Sequence, residues 1–151
     1  PELVASLAAE FPNFAGIKDT VDCQSHTRSM IQTTRAVRED FAVLSGYDEY
    51  YIPNLLAGGA GIISGLNNVM PELFVSAREA FKQGDLAALR DIQDQIGTYM
   101  SIYAIGEDFV TTIKTVVSRK FGYCTGVSRN AGGELNEGEC RTIDEVFVVK
   151  A

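Results

Sequence analysis

Lys18 closes a short apolar run, Phe14-Ala-Gly-Ile17, and is followed by Asp19 and Thr20. A lysine at the end of a buried strand is expected to meet a low-dielectric interior. Desolvation there disfavours the ammonium and leaves a neutral amine, the nucleophile that imine formation with a ketone requires. The plainer role is a lysine that snorkels to water or pairs with Asp19, and strand position alone favours it. Two more polar stretches follow apolar runs in the same way. Gly46-Tyr47-Asp48-Glu49 comes after Phe41-Ala-Val-Leu-Ser45, and Gly61-Ile-Ile-Ser64 leads through Gly65 to Asn67-Asn68. Gly46 lets backbone approach a ligand closely, and Asp48 and Glu49 can accept hydrogen bonds from a polyhydroxylated molecule. Helix N-capping by Asp48 explains the same residues without a ligand and is simpler on these residues alone.

Other chemistries find less support. Gly61 to Gly65 lacks both the GxGxxG spacing and a P-loop lysine, so nucleotide binding is not indicated. His26 is the only histidine and falls in a helical stretch, where a surface role is expected. No Ser/His/Asp or Cys/His pairing is suggested, and no ligand cluster points to a metal. Cys23, Cys124 and Cys140 are odd in number and widely spaced, which argues for reduced thiols and a cytoplasmic protein. Thirteen basic against twenty acidic residues give a net charge of −7, so neither nucleic acid nor anionic lipid is an expected partner. No apolar run reaches the about 18 residues of a membrane span. The first residues carry no signal-peptide pattern. The sequence starts without Met and inside a helical pattern, so a processed, cropped or partial chain is expected.

The elements that must position these groups follow from the apolar spacing. Helices are predicted over 2–11, 23–38, about 50–57 and 71–83, and from 86 through 103. Two more are predicted, one holding Phe109, Val110, Ile113, Val116 and Val117, the other starting at Asn136 with Glu139 as its capping partner. On the second helix Met30, Ile31, Thr34 and Val37 form the apolar face, while Arg28, Arg35 and Arg38 reach water. Leu86, Leu89, Ile92 and Ile96 do the same for the long helix. Short buried strands fit 14–18, 41–45 and 61–64, and a Gly-rich loop fits 122–135. Strands alternating with helices imply an α/β protein with a parallel sheet, either open and doubly wound or part of a (β/α)8 barrel. In both, functional groups gather at the carboxyl ends of the strands. Residues 1–84 form the strand–helix part and 85–151 a helical extension.

Three stretches together resemble the dihydrodipicolinate synthase / N-acetylneuraminate lyase superfamily. They are Phe14-Ala-Gly-Ile-Lys18-Asp-Thr20, Leu44-Ser-Gly-Tyr-Asp-Glu49, and Gly58-Gly-Ala-Gly-Ile-Ile-Ser64 followed by Asn68-Val-Met-Pro71. Ile17 to Asp22 with His26 and Arg28-Ser-Met-Ile31 looks most like the 2-keto-3-deoxy-sugar-acid aldolases, and Gly46 to Glu49 is also similar to the sialic acid lyases. The resemblance implies the C-terminal half of a (β/α)8 barrel, about strands six to eight, with a helical extension. It implies Lys18 as the Schiff-base amine of a class I aldolase, cleaving a 2-keto-3-deoxy sugar acid into pyruvate and an aldehyde. Thr20, Gly46, Asp48, Glu49, Ile63 and Ser64 would line the substrate. No metal or organic cofactor is implied, and the full-length family members are commonly homo-oligomers. Synthase or sialic acid lyase activity, or a non-catalytic binding module of the same fold, are the alternatives. The family's Gly-Thr-Thr-Gly-Glu carboxylate loop and its relay tyrosine have no counterpart in these residues, so the isolated chain is expected to lack full activity. Residues 127–133 stand where the family usually has a Pro-rich loop.

Overall fold

Strands separated by helical connections pair in parallel. Here β1 (Gly16–Asp19), β2 (Ala42–Ser45) and β3 (Gly61–Ile62) do so in the order β1-β2-β3. The structure, a computed structural model, describes residues 1–129 and 133–148. Asn130, Ala131 and Gly132 of the predicted 127–133 loop lie outside the described residues, as do 149–151. The register sets Ile17 beside Val43, Lys18 beside Leu44 and Asp19 beside Ser45, with Leu44 beside Gly61 and Ser45 beside Ile62. Side chains alternate along a strand. Ile17, Asp19, Val43 and Ser45 therefore share one face of the sheet, and Lys18 and Leu44 the other.

The chain divides by compactness into two units. The first comprises residues 1–64 and 80–89, the second residues 65–79 and 90–151. This division follows contacts and cuts across the sequence boundary expected near residue 84.

In the first unit, α1 (Glu2–Glu10) buries Ala5 and Ala8, and α2 (Gln24–Arg35) buries Thr27, Met30, Ile31 and Thr34. That i, i+3, i+4, i+7 stripe lies over the Ile17/Val43 face. Ala8, Met30, Ile31, Phe41 and Val43 form the core, with Val4, Phe14, Ile17 and Ala57 packed against it. Phe14 and Phe41 meet edge to face at 5.1 Å. Arg38 turns inward where solvent was expected. Its guanidinium lies 5.5 Å from the Phe41 ring and donates to the carbonyl of Ala8 at 3.2 Å, near the end of α1. Val37, predicted on the apolar face, is 50% exposed because α2 ends at Arg35. Arg35 donates at 2.6 Å to the Gly58 carbonyl, tying α2 to the end of α3 (Tyr51–Leu56). Pro53 is accommodated in the first turn of α3, where its missing N–H is not required. β3 stops at Ile62, two residues short of the prediction, although the Ile63 N–H still reaches the Ser45 carbonyl at 2.9 Å.

Two helices contribute to both units: α4 (Pro71–Gln83) and α5 (Leu86–Tyr99). Between them Gly84 adopts φ +69, a left-handed value suited to a helix end, as its place in the sequence predicts. Leu86, the first residue of α5, is 71% exposed instead of packed.

The second unit is built by the α4 and α5 residues outside 80–89, α6 (Phe109–Phe121) and α7 (Glu137–Ile143). Leu66, Val69, Ile96, Ile102, Val116, Ile143 and Phe147 are fully buried in it. The helix expected to run through Tyr103 instead tightens into a 3-10 turn over Met100–Ala104. Tighter winding is common at helix ends, and here it brings the Tyr103 hydroxyl to the Leu66 N–H at 3.1 Å. Asp108 caps α6, its carboxyl held below the usual range by the Thr111 hydroxyl and by backbone N–H groups. Phe109, the first residue of α6, is 51% exposed. The predicted capping box is present. Asn136 accepts from the Gly138 and Glu139 N–H groups, and Glu139 accepts from the Asn136 N–H. Beyond α7 the chain widens into a π-helical turn over Asp144–Val148 that carries Phe147. Among the described residues no helix is long and apolar enough to cross a membrane.

Candidate active site

The shared register places the carboxyl ends of β1, β2 and β3 along one edge of the sheet. Lys18, Thr20, Gly46, Asp48, Glu49, Ile63 and Ser64 lie at that edge or on the strand leading to it, and these seven belong to the first unit, whereas Gly65, Asn67 and Asn68 belong to the second. Lys18 sits on β1 beside Leu44, on the face turned away from the α1/α2 core. Ile63, two residues beyond Gly61, falls on that same face by alternation and is 50% exposed.

Lys18 itself is exposed, so the dry surroundings expected for it are not met within the described residues. The reason is the strand period. The buried face of β1 belongs to Ile17 and Asp19, and position 18 points the other way. The alternative of an ion pair with Asp19 is not realised either. Asp19 is only 5% exposed, and its Oδ2 accepts from the Thr27 hydroxyl at 2.6 Å and lies 3.1 Å from His26 Nδ1. Its Oδ1 accepts from the Val21 N–H at 3.3 Å. His26 is thus more than a surface residue, being half-buried against this carboxylate.

Thr20 follows β1 and is exposed, while Gly46 follows β2. The two are in direct contact: a Cβ on Gly46 would fall 2.2 Å from Thr20 Oγ1. The absence of a side chain at 46 is therefore required by close approach. The Gly46 N–H also donates to the Asp19 carbonyl at 2.7 Å. Ser45, fully buried, shapes the next turn by donating from its hydroxyl to the Tyr47 carbonyl at 2.9 Å and accepting from the Tyr47 N–H at 3.2 Å. The chain then enters a 3-10 turn over Asp48–Tyr50, with Tyr47 in the capping position. Asp48 is the first residue of that turn, not its cap, and is 2% exposed. Glu49 is the exposed carboxylate of this stretch. Ser64, just past β3, is half-buried.

Sequence reasoning did not find two contacts at this edge. One is the Asp19–Thr27–His26 cluster. Its signal is a strand-end carboxylate followed seven and eight residues later by polar side chains in the first turn of the next helix. The other joins the two loops: the Tyr50 hydroxyl donates to Asp22 Oδ1 at 2.5 Å. That bond, more than burial or neighbouring charge, pushes the Tyr50 phenol up to about 12. The Tyr47 and Tyr50 rings lie 5.6 Å apart. Nearby, the exposed Cys23 thiol is lowered by its contact with the Ser25 hydroxyl at 3.1 Å and by the backbone at His26. Among the described residues no group of three or more His, Cys, Asp or Glu side chains is arranged to hold a metal ion.

A parallel α/β sheet that collects an amine, a hydroxyl and a carboxylate at its carboxyl edge has the layout of an α/β enzyme. The chain belongs to the dihydrodipicolinate synthetase family, whose sequence profile matches residues 1–142. It is 40% identical over 114 residues to the Escherichia coli protein named "Probable 2-dehydro-3-deoxy-D-pentonate aldolase YjhH", covering 76% of this chain and 38% of that one. It is 34% identical over 148 residues to a 4-hydroxy-tetrahydrodipicolinate synthase of Methanoculleus marisnigri, covering 98% of this chain and 49% of the relative. Among solved structures, the crystal structure of the Escherichia coli prophage protein YagE in complex with pyruvate superposes with a TM-score of 0.89 at 30% identity. That match covers 95% of this chain and 48% of YagE. The chain therefore spans about half the length, or less, of the relatives it matches.

Proposed function

We propose that the chain provides the Schiff-base machinery of a class I aldolase that cleaves a 2-keto-3-deoxy sugar acid to pyruvate and an aldehyde. In this reading residues 1–84 correspond to about strands six to eight of a (β/α)8 barrel, and 85–151 to its helical extension. The enzyme is cytoplasmic and homo-oligomeric. One observation carries the proposal. Lys18 stands on the sheet face away from the helical core, accessible and released from Asp19, with Ile63 on the same face and Thr20 and Glu49 at the adjoining edge.

The chemistry follows from the amine. Lys18 Nζ attacks the C2 carbonyl carbon of the keto acid, and loss of water leaves an iminium. That cation is an electron sink. When the C4 hydroxyl gives up its proton, the C3–C4 bond breaks. Its electron pair enters the C2–C3 bond and neutralises the iminium as an enamine, and C4 departs as an aldehyde. Protonation at C3 and addition of water then release pyruvate and restore the amine. The loops following the strands, with Thr20, Gly46, Asp48 and Glu49, face the hydroxylated part of the substrate, and the Ile63 backbone and Ser64 lie beside the keto acid. Their contribution is positioning.

The test is covalent. Protein expressed from its complete reading frame is incubated with pyruvate and borohydride, and the reduced adduct is mapped by mass spectrometry. A pyruvyl adduct on Lys18, lost in Lys18→Ala, is the expected result; an intact protein that never labels at Lys18 refutes the mechanism. The likeness to the Methanoculleus synthase over 98% of the chain supports a second reading, in which the enamine condenses with an amino-aldehyde. Release of pyruvate from a 2-keto-3-deoxy sugar acid, against consumption of an amino-aldehyde with pyruvate, separates the two.

A further inference from the structure

The loop after β1 and the turn after β2 come from different strand–helix units, yet they meet at three points. The Gly46 N–H donates to the Asp19 carbonyl at 2.7 Å, Gly46 packs directly against Thr20, and the Tyr50 hydroxyl donates to Asp22 Oδ1 at 2.5 Å. The first two contacts sit at the strand ends. The third lies further along both segments in sequence and is the one made wholly by side chains. Asp22 is two residues from Thr20, and Tyr50 directly follows Glu49. Thr20 and Glu49 are exposed, and a tail of hydroxyl groups would need both at a fixed separation. Residues on loops are ordered either before binding or at its expense.

We infer that Tyr50 is a positioning residue. Its hydrogen bond to Asp22 ties the β1 and β2 loops together and fixes the Thr20–Glu49 spacing that selects the hydroxylated end of the substrate. This rests on the aldolase reading above and adds to it a division of the site. The keto-acid end depends on Lys18, which is on a strand and outside the tie. The hydroxylated end depends on a strut between loops. Recognition of pyruvate is therefore independent of Tyr50, and recognition of the sugar-acid tail is not.

The experiment compares the unsubstituted protein, Tyr50→Phe and Asp22→Asn, all expressed from the complete reading frame. Each is measured for cleavage of 2-keto-3-deoxygluconate, for borohydride trapping of pyruvate on Lys18, and for its urea unfolding midpoint. A hydrogen bond to a charged partner, discounted for exposure, sets the scale at about five- to tenfold. The expected result for Tyr50→Phe is a KM for the sugar acid raised by about that factor. Its kcat stays within about twofold, and its pyruvate trapping and unfolding midpoint do not change. Asp22→Asn keeps an oxygen acceptor without the charge and gives an intermediate KM. An unchanged KM in Tyr50→Phe overturns the inference while leaving the Schiff-base reading intact. A parallel fall in kcat, trapping and unfolding midpoint overturns it in favour of a purely structural role. Failure to trap pyruvate in the unsubstituted protein removes the aldolase reading and this inference together.

Discussion

Asp19 is the residue whose removal tests the packing account most directly. Its carboxylate is 5% exposed and accepts from the Thr27 hydroxyl at 2.6 Å, a donor that is itself only 3% exposed. In Asp19→Ala the Thr27 hydroxyl loses its acceptor inside the core side of the sheet, where water does not readily replace it. A buried hydroxyl without a partner costs about 1–3 kcal/mol, and a hydrogen bond to a charged group contributes about 1.5–3 kcal/mol. These are overlapping ways to count one contact and do not add. His26 is half-exposed and can turn to water, so its loss adds little. The Val21 N–H, at 3.3 Å, adds a long and weak bond. Against these stands the relief of no longer desolvating a carboxylate. The balance for Asp19→Ala is a loss of about 2–3 kcal/mol, large beside the about 5–15 kcal/mol of a typical domain.

Asp19→Asn separates charge from connectivity. The amide oxygen can still accept from Thr27, so the expected loss is only about 1 kcal/mol. Urea unfolding followed by far-UV circular dichroism measures both. With a slope of about 2 kcal/mol/M, Asp19→Ala moves the midpoint by more than about 1 M and Asp19→Asn by about half that. Amide exchange at β1 and α2 localises the effect to the first unit. A double-mutant cycle with Thr27→Val should return a coupling of at least about 1 kcal/mol. If Asp19→Ala lies within about 0.5 kcal/mol of the parent, or the coupling vanishes, the carboxylate does not join β1 to α2 as argued.

Gly16→Ala tests the β1–β2 register. A Cβ at 16 would lie 2.4 Å from the Ala42 carbonyl oxygen and 2.8 Å from the Ala42 Cβ, and backbone cannot rotate aside. The strands must part, weakening the Ala42 N–H bond to the Ala15 carbonyl, with an expected loss of at least about 2 kcal/mol read by urea unfolding. The Tyr50 phenol gives a pH test. With its folded value raised to about 12 by Asp22, the tie is intact below the ordinary tyrosine range near 10 and is lost as pH rises through about 12. Absorbance at 295 nm should show a late-titrating component that is lost in Tyr50→Phe.

The strand–helix alternation, the three strand ends and the capping box at Asn136 were legible because each depends on residues near in sequence. Pro71, Gly84 and the Asn136/Glu139 pair mark helix ends through local backbone chemistry, and the structure places the ends there. What escaped was set at a distance. The inward turn of Arg38 depends on the carbonyl of Ala8 in α1, thirty residues earlier. The tightening after Tyr99 accompanies a bond between Tyr103 and Leu66, thirty-seven residues apart. Val37 was misassigned because the apolar stripe continues in sequence past Arg35, where α2 stops. The surroundings of Lys18, dry or open to water, were left undecided for another reason. A short apolar run announces a strand, but with so few residues it does not say which of its two faces is buried.

That last point separates the demands placed on neighbouring residues. Positions 18 and 19 are adjacent, yet strand geometry sends them to opposite faces. In the proposed aldolase reading one therefore answers to the ligand, and the other answers to the core. Asp19 tolerates only groups that satisfy Thr27, because it is enclosed on the core side of the sheet. Lys18 makes no such demand on the fold, and its replacement by a neutral side chain of similar length should leave stability nearly unchanged while abolishing imine formation. Asp19→Ala should do the reverse, lowering stability while the surviving folded protein still traps pyruvate at Lys18. A strand period of two thus lets one tetrapeptide carry a chemical group and a structural anchor without forcing a compromise between them.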